Sequence, residues 1–80
     1  MKTIKIRFIN RNNKDFLIQK KTWFGWKYIG YWQMASSGDS IWYLYCKETK
    51  EELLNQVLEN YYKTDKRFVK IIEYPELKMY

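Results

Sequence analysis

Residues 23–32 read WFGWKYIGYW, which places six aromatic side chains and two glycines in ten consecutive positions. Gly25 suits a turn, because glycine adopts positive φ without the steric cost that other residues carry. The stretch therefore predicts the connection and second arm of a β-hairpin, with Gly25 at the bulge position of a three-residue loop. Whether its rings are core or contact surface depends on which side of the sheet they occupy.

The chain before this stretch has the pattern of two antiparallel strands. Residues 2–9 alternate apolar and charged side chains, residues 10–14 form a polar cluster typical of a turn, and residues 15–23 return as a second strand. Alternation assigns one set of side chains to a face covered by a helix: Ile4, Ile6, Phe8, Phe16 and Ile18. It assigns the other set to an open face: Lys5, Arg7, Leu17, Gln19 and Lys21.

Two further strands are predicted after Gly25, over residues 26–33 and 41–46, with a loop over residues 35–40. In the fourth strand we expect Trp42, Leu44 and Cys46 in the core, with Tyr43 and Tyr45 pointing outward. The third strand allows two registers, since a bulge at either glycine would exchange its faces. We prefer the register that buries Ile29 and Tyr31 and leaves the other rings open: Trp26, Tyr28 and Trp32.

The apolar period changes after the fourth strand. Thr49 and Glu52 have the spacing of a capping box, and apolar residues recur at helical spacing as far as Tyr62. We therefore predict a helix over residues 49–64, a last strand over 67–74 that stops at Pro75, and a tail over 75–80.

These elements predict one α+β domain over residues 1–80. Residues 1–46 would form a four-stranded antiparallel meander, and the order β-β-β-β-α-β places the last strand beside the first. The last strand would run antiparallel to the first and complete a four- to five-stranded antiparallel sheet, with the amphipathic helix on one face. Since one helix covers one face, the other face is where function is expected.

The net charge of +6 is unevenly distributed along the 80 residues. Residues 1–33 contain eight Lys and Arg residues against Asp15 alone, so the positive field belongs to the N-terminal strands. Such an asymmetry suits nucleic acid or an acidic protein as partner.

The composition argues against an enzyme. The chain has no histidine and a single cysteine, Cys46, which excludes an internal disulfide and the usual zinc sites. We expect no catalytic set, no cofactor, no metal and no small-molecule substrate. The N-terminus lacks the apolar segment of a signal peptide, and the longest apolar run is too short to cross a bilayer, so a cytoplasmic location is expected.

The segment IQKKTWFGWKYI at residues 18–29, together with the helix start TKEE at residues 49–52, resembles short proteins of phages and bacterial mobile elements. The resemblance covers about half of the chain. It implies an accessory binding protein, such as an inhibitor of a host nucleic-acid enzyme, and it transfers no site residues.

The residues point to a small basic binding module that uses its aromatic and basic open face. A protein partner or a homodimer is the first expectation, because Tyr and Trp are favoured anchors of protein interfaces. Single-stranded nucleic acid is the alternative, since rings stack on bases while Lys and Arg contact phosphates. A third hypothesis, ranked below both, is binding to a membrane interface through the tip at residues 23–26. The candidate partner-binding residues are Lys5, Arg7, Lys21, Trp26, Tyr28, Trp32, Tyr43 and Tyr45.

Overall fold

A computed structural model describes residues 2–79 and shows the predicted α+β class. One α-helix packs on one face of a five-stranded sheet, and two further strands form a separate sheet. The elements are β1 (Lys2–Arg11), β2 (Asp15–Thr22), β3 (Gly25–Tyr28), β4 (Gly30–Met34), β5 (Ser40–Leu44), β6 (Cys46–Lys47), α1 (Lys50–Asn60), a short 3-10 helix (Lys66–Phe68) and β7 (Val69–Met79).

The main sheet has the order β3-β2-β1-β7, and β6 also pairs with β2. Strand β3 pairs with the end of β2, where Thr22 faces Gly25, whereas β6 pairs with its beginning, where Leu17 faces Cys46. Both run antiparallel to β2, so they point in the same direction. They lie along the same edge of β2, because β1 occupies its other edge.

Between them, residues 30–45 leave the main sheet and form a two-stranded antiparallel arm, called the ribbon below. Its neck is held by backbone hydrogen bonds: Ile29 N–H donates to the Ile18 carbonyl at 3.0 Å, and Tyr45 N–H donates to the Ile29 carbonyl at 3.2 Å. The predicted third and fourth strands do pair with each other. Their outer parts, however, belong to the ribbon and not to the helix-covered sheet.

The ribbon explains why the last strand runs parallel to β1, where an antiparallel strand was predicted. In a simple four-stranded meander, the strand before the helix would run opposite to β1. Because β6 points in the same direction as β3, it runs in the same direction as β1 instead. The helix then returns the chain so that β7 starts beside Lys2. The predicted position of this strand beside the first is confirmed, and its predicted direction is wrong.

Strand β7 also continues through Pro75, where the sequence predicted a stop and a tail. Arg7 faces Tyr74 and Ile9 faces Leu77, so Pro75 and Glu76 together lie opposite Phe8 in a bulge. Proline is tolerated at bulges because it cannot donate a ladder hydrogen bond. Met1 and Tyr80, included in the predicted domain and tail, lie outside the described residues.

The core lies between the helix and the main sheet, and it contains the predicted face of the first two strands. Ile29 joins this core, in agreement with the preferred register of the third strand. Fully buried side chains from both layers form its centre: Ile6, Phe8, Ile18, Ile29, Leu53 and Val57.

The prediction for residues 42–46 is confirmed for Tyr43, which is exposed, and wrong for most of the other positions. Tyr45 is buried, with 7% of its surface exposed, whereas Cys46 and Trp42 are exposed and Leu44 is only half-buried. Strand alternation cannot be extended through Tyr45, since the chain passes there from the ribbon back to the main sheet. Tyr31, expected in the core, lies at its margin and packs on Tyr45 with ring centroids 5.0 Å apart.

The caps and the positive φ positions of the turns are confirmed, but the predicted three-residue loop with a bulge at Gly25 is wrong. Thr22 faces Gly25 in an unbroken register, so the loop consists of two residues, 23–24. The hydroxyl of Thr49 accepts a hydrogen bond from Glu52 N–H at 3.2 Å, which caps the helix as the spacing predicts. Asn12 and Asn13 have positive φ in the first turn, and Gly25 has φ 111° after the exposed turn at Trp23 and Phe24. The helix ends at Asn60, earlier than predicted.

Burial raises the pKa of Tyr62 to about 12. The unfolded chain then releases this proton near pH 10, before the folded protein does, so the free energy of unfolding should fall as pH rises from about 10 to about 12. Tyr62→Phe should make that fall smaller, as measured by urea unfolding across this range. Identical pH dependence in both proteins would contradict the assignment.

Candidate interaction surfaces

The sheet face opposite the helix carries a connected cluster of polar and aromatic side chains. Arg7 Nε donates to Gln19 Oε1 at 2.7 Å, and the Arg7 guanidinium lies 4.3 Å from the ring centroid of Trp26. Trp26 packs edge-on against Tyr74 at 5.1 Å, and the Lys21 ammonium lies over that Tyr74 ring. Two cations on this face therefore cover two of its rings, which removes part of the flat aromatic surface that base stacking needs.

Five of the predicted site residues share this face. Tyr28 and Arg7 lie in one row across the strands through Gln19, while Lys21 faces Trp26 and Lys5 faces Ile72. The next row is apolar and buried, with Ile9 paired to Leu17 across β1 and β2. Leu17 and Gln19 lie on the predicted face, but the prediction that this face leaves them open is wrong, since both are buried. Among the described residues of the rows that contain Lys5, Arg7 and Lys21, none is acidic.

The structure places the other three predicted residues elsewhere. Trp32 and Tyr43 lie on the ribbon and are exposed. Tyr45 is part of the core, so it does not belong to an open face. The eight residues therefore do not form one surface.

The ribbon exposes more apolar surface than the sequence predicted. Trp32 and Met34 are 67% and 72% exposed, and four more large apolar side chains on the ribbon exceed a third: Tyr31, Ile41, Trp42 and Tyr43. The pairs Trp32–Trp42 and Tyr31–Tyr43 hold its two strands together, with ring centroids 5.2 and 5.7 Å apart. The sequence contains one signal of this apolar surface, because Asp39 is the single charged residue in residues 30–45.

The tip of the β2–β3 hairpin is the second exposed apolar feature. Trp23 is 98% exposed and Phe24 is 96% exposed. Phe68, on the short helix that precedes β7, is 64% exposed, and no pattern in the sequence distinguishes it. The register brings its neighbour Val69 beside Lys2, at the same end of the sheet as the tip.

A shallow depression of about 360 Å³ lies at the opposite end of the sheet. Its lining includes the free thiol of Cys46 beside acidic side chains, but the chain has no histidine to activate that thiol. Within residues 2–79, no three His, Cys, Asp or Glu side chains are grouped so that they could hold a metal ion. In the same range, none of the helical segments has the length and apolar character needed to cross a bilayer.

Comparison with known proteins gives no match to a family model, a curated protein or a solved structure. The resemblance to short phage and mobile-element proteins therefore stays a prediction.

Proposed function

We propose that the protein is a small non-enzymatic protein-binding module that self-associates through its ribbon. The ribbon of one copy would pack against the ribbon of a second copy. We expect the protein to be cytoplasmic, where the single exposed thiol of Cys46 would stay reduced.

The observation that carries this proposal is the ribbon's exposed apolar surface. A two-stranded hairpin has little stability of its own in water and normally packs against another element. Here six large apolar side chains on residues 30–45 remain exposed. Contiguous exposed apolar patches on a small protein are typical of binding sites.

The backbone of the ribbon supports a protein as partner. In the part of the chain that the structure describes, β4 and β5 pair only with each other, so each has one edge without a strand neighbour. Such edges present unpaired N–H and C=O groups that can add a strand from another chain.

Charge favours a second copy as that partner. The ribbon carries Asp39 alone, whereas the whole chain carries +6. Two ribbons related by two-fold symmetry can pack without burying a cation, and they bring the same apolar patch to both sides of the interface. The remaining positive charge of the two copies repels, so salt should strengthen the dimer by screening that repulsion.

Sedimentation velocity over a range of protein concentrations tests the proposal. We expect a monomer–dimer equilibrium whose association constant rises with salt and falls at least about tenfold in Trp32→Ala, a loss typical of removing an interface anchor. Trp23→Ala is the matched control, since it removes an exposed indole from the other hairpin. A monomer at all concentrations, or a dimer weakened by Trp23→Ala and not by Trp32→Ala, would overturn the proposal.

Single-stranded nucleic acid on the sheet face is the second candidate. The observation in its favour is that Lys5, Arg7, Lys21 and Lys70 share rows of this face that contain no acidic side chain in the described residues. Binding of an oligonucleotide would weaken with salt, the opposite of the dimer, because phosphate contacts release counterions. Lys21→Ala should lower that salt slope by about one, and an oligonucleotide titration that produces no signal would exclude this candidate.

A further inference from the structure

The charge of the molecule is concentrated at the end of the sheet that carries the exposed hairpin tip. Three segments meet there, residues 2–6, 20–27 and 61–73, and together they contain nine Lys and Arg residues and two acids, Asp65 and Glu73. The rest of the chain contains six Lys and Arg residues and seven acids. This end is called the basic end below.

Several contacts show that the three segments lie together. Lys2 faces Val69 in the parallel pair, and Ile6 and Lys27 both face Lys20. The Lys20 ammonium donates to the Tyr61 hydroxyl at 2.5 Å, which joins the hairpin to the end of the helix. The Lys2 ammonium lies 5.6 Å from the ring centroid of Tyr62.

The two acids of the basic end leave its charge strongly positive. Asp65 accepts hydrogen bonds from the backbone and the guanidinium of Arg67, and these bonds lower its pKa. Glu73 faces Ile6, in the row that also contains Lys20 and Lys27. Nine cations against two acids therefore give a positive field around the exposed rings of this end.

We propose that the basic end binds the surface of an anionic phospholipid bilayer, with Trp23 and Phe24 inserted among the headgroups. This goes beyond self-association and uses a different surface. The apex of the hairpin presents two adjacent rings that are almost completely exposed, and Trp is enriched at membrane interfaces because it is apolar at one end and polar at the other.

Two weak attractions add here, as stable membrane binding requires. The rings supply an apolar anchor, and each Lys near an anionic surface contributes about fivefold in affinity. The charge is on three separate segments around the tip, so the rings can insert while the cations stay at headgroup level.

Nucleic acid is a weaker fit to this end. Its rings stand at a turn apex and at a short helix and do not form a platform for consecutive bases. Of the rings on the sheet face, Trp26 and Tyr74 are covered by Arg7 and Lys21, which leaves Tyr28 without a cation over it among the described residues.

Co-flotation of the full chain with vesicles tests the proposal, using phosphatidylcholine with and without phosphatidylserine. We expect binding only when phosphatidylserine is present, a blue shift of tryptophan fluorescence on binding, and weaker binding at high salt. The double variant Trp23→Ser, Phe24→Ser should reduce the affinity at least about tenfold. Both residues are exposed, so the variant should fold, and its circular dichroism spectrum checks that it does.

Met79→Ser is the matched control, because it removes an exposed apolar side chain at the opposite end of the sheet, beside Arg11, and it should float as the unchanged protein does. No binding to phosphatidylserine vesicles would overturn the proposal, as would binding that the double variant leaves unchanged. Binding of an oligonucleotide in place of vesicles, with no effect of the double variant, would also overturn it and favour the nucleic-acid candidate. Self-association is a separate measurement that should depend on Trp32 and not on Trp23, so the two proposals can fail independently.

Discussion

Phe8→Ala should lower the free energy of unfolding by about 3–5 kcal/mol, because it removes a fully buried ring and leaves a cavity. Phe8 lies in the middle of β1 with 2% of its surface exposed, and it packs edge-on against Phe16 at 6.5 Å. A domain of this size has a total stability of about 4–12 kcal/mol. The variant should therefore be close to unfolding at room temperature, as measured by urea or thermal denaturation.

Phe24→Ala makes the same chemical change at a site that is almost completely exposed. Its effect on stability should stay within about 0.5 kcal/mol, since no packing is lost. The contrast isolates burial as the cause of the Phe8 effect. Similar losses in the two variants would contradict the placement of the core between β1 and the helix.

The core of the first two strands could be predicted because its pattern is local and regular. Ile4, Ile6 and Phe8 alternate with charged residues in β1, and this strand keeps the same partners along most of its length. The helix start was equally predictable, because a capping box needs only Thr49 and Glu52 at the right spacing. In both cases the information lies within a few residues.

The orientation of residues 42–46 could not be predicted, because it depends on where a strand changes its partner. Trp42 pairs with Trp32 in the ribbon, whereas Cys46 pairs with Leu17 in the main sheet. Residues 41–46 form an unbroken apolar and aromatic run, so the sequence does not mark the position of Tyr45, where the structure passes from one sheet to the other. The direction of β7 follows from the same break, so one unpredicted departure accounts for both errors.

That departure also divided the predicted binding surface. Lys5, Arg7, Lys21, Trp26 and Tyr28 remain on the sheet face, but Trp32 and Tyr43 belong to the ribbon. Aromatic content does not distinguish the residues of the sheet face from those of the ribbon, because both contain Trp and Tyr. Charge does distinguish them, since residues 30–45 contain Asp39 as their single charged residue.

Gly30 begins the ribbon, and its lack of a side chain allows the two strands of the neck to pack closely. A methyl group at Gly30 would overlap the backbone carbonyl oxygen of Tyr43 and approach Cζ2 of Trp42 to 2.7 Å. The φ of Gly30 lies outside the left-handed region, so the requirement for glycine comes from this close approach. The carbonyl is part of β5 and cannot move without moving that strand.

Gly30→Ala should therefore separate β4 from β5 and cost about 1–3 kcal/mol of stability or more. The near-ultraviolet circular dichroism of the Trp32–Trp42 pair should weaken, and ribbon-dependent self-association should fall with it. Gly38→Ala is the matched control, because a methyl group there meets open space and its cost, about 1 kcal/mol, comes from a φ of 92°. Adding Trp42→Ala to Gly30→Ala should recover only part of the stability, since the contact with the Tyr43 carbonyl remains. Full recovery would show that the indole, and not the backbone of β5, sets the requirement for glycine at the neck.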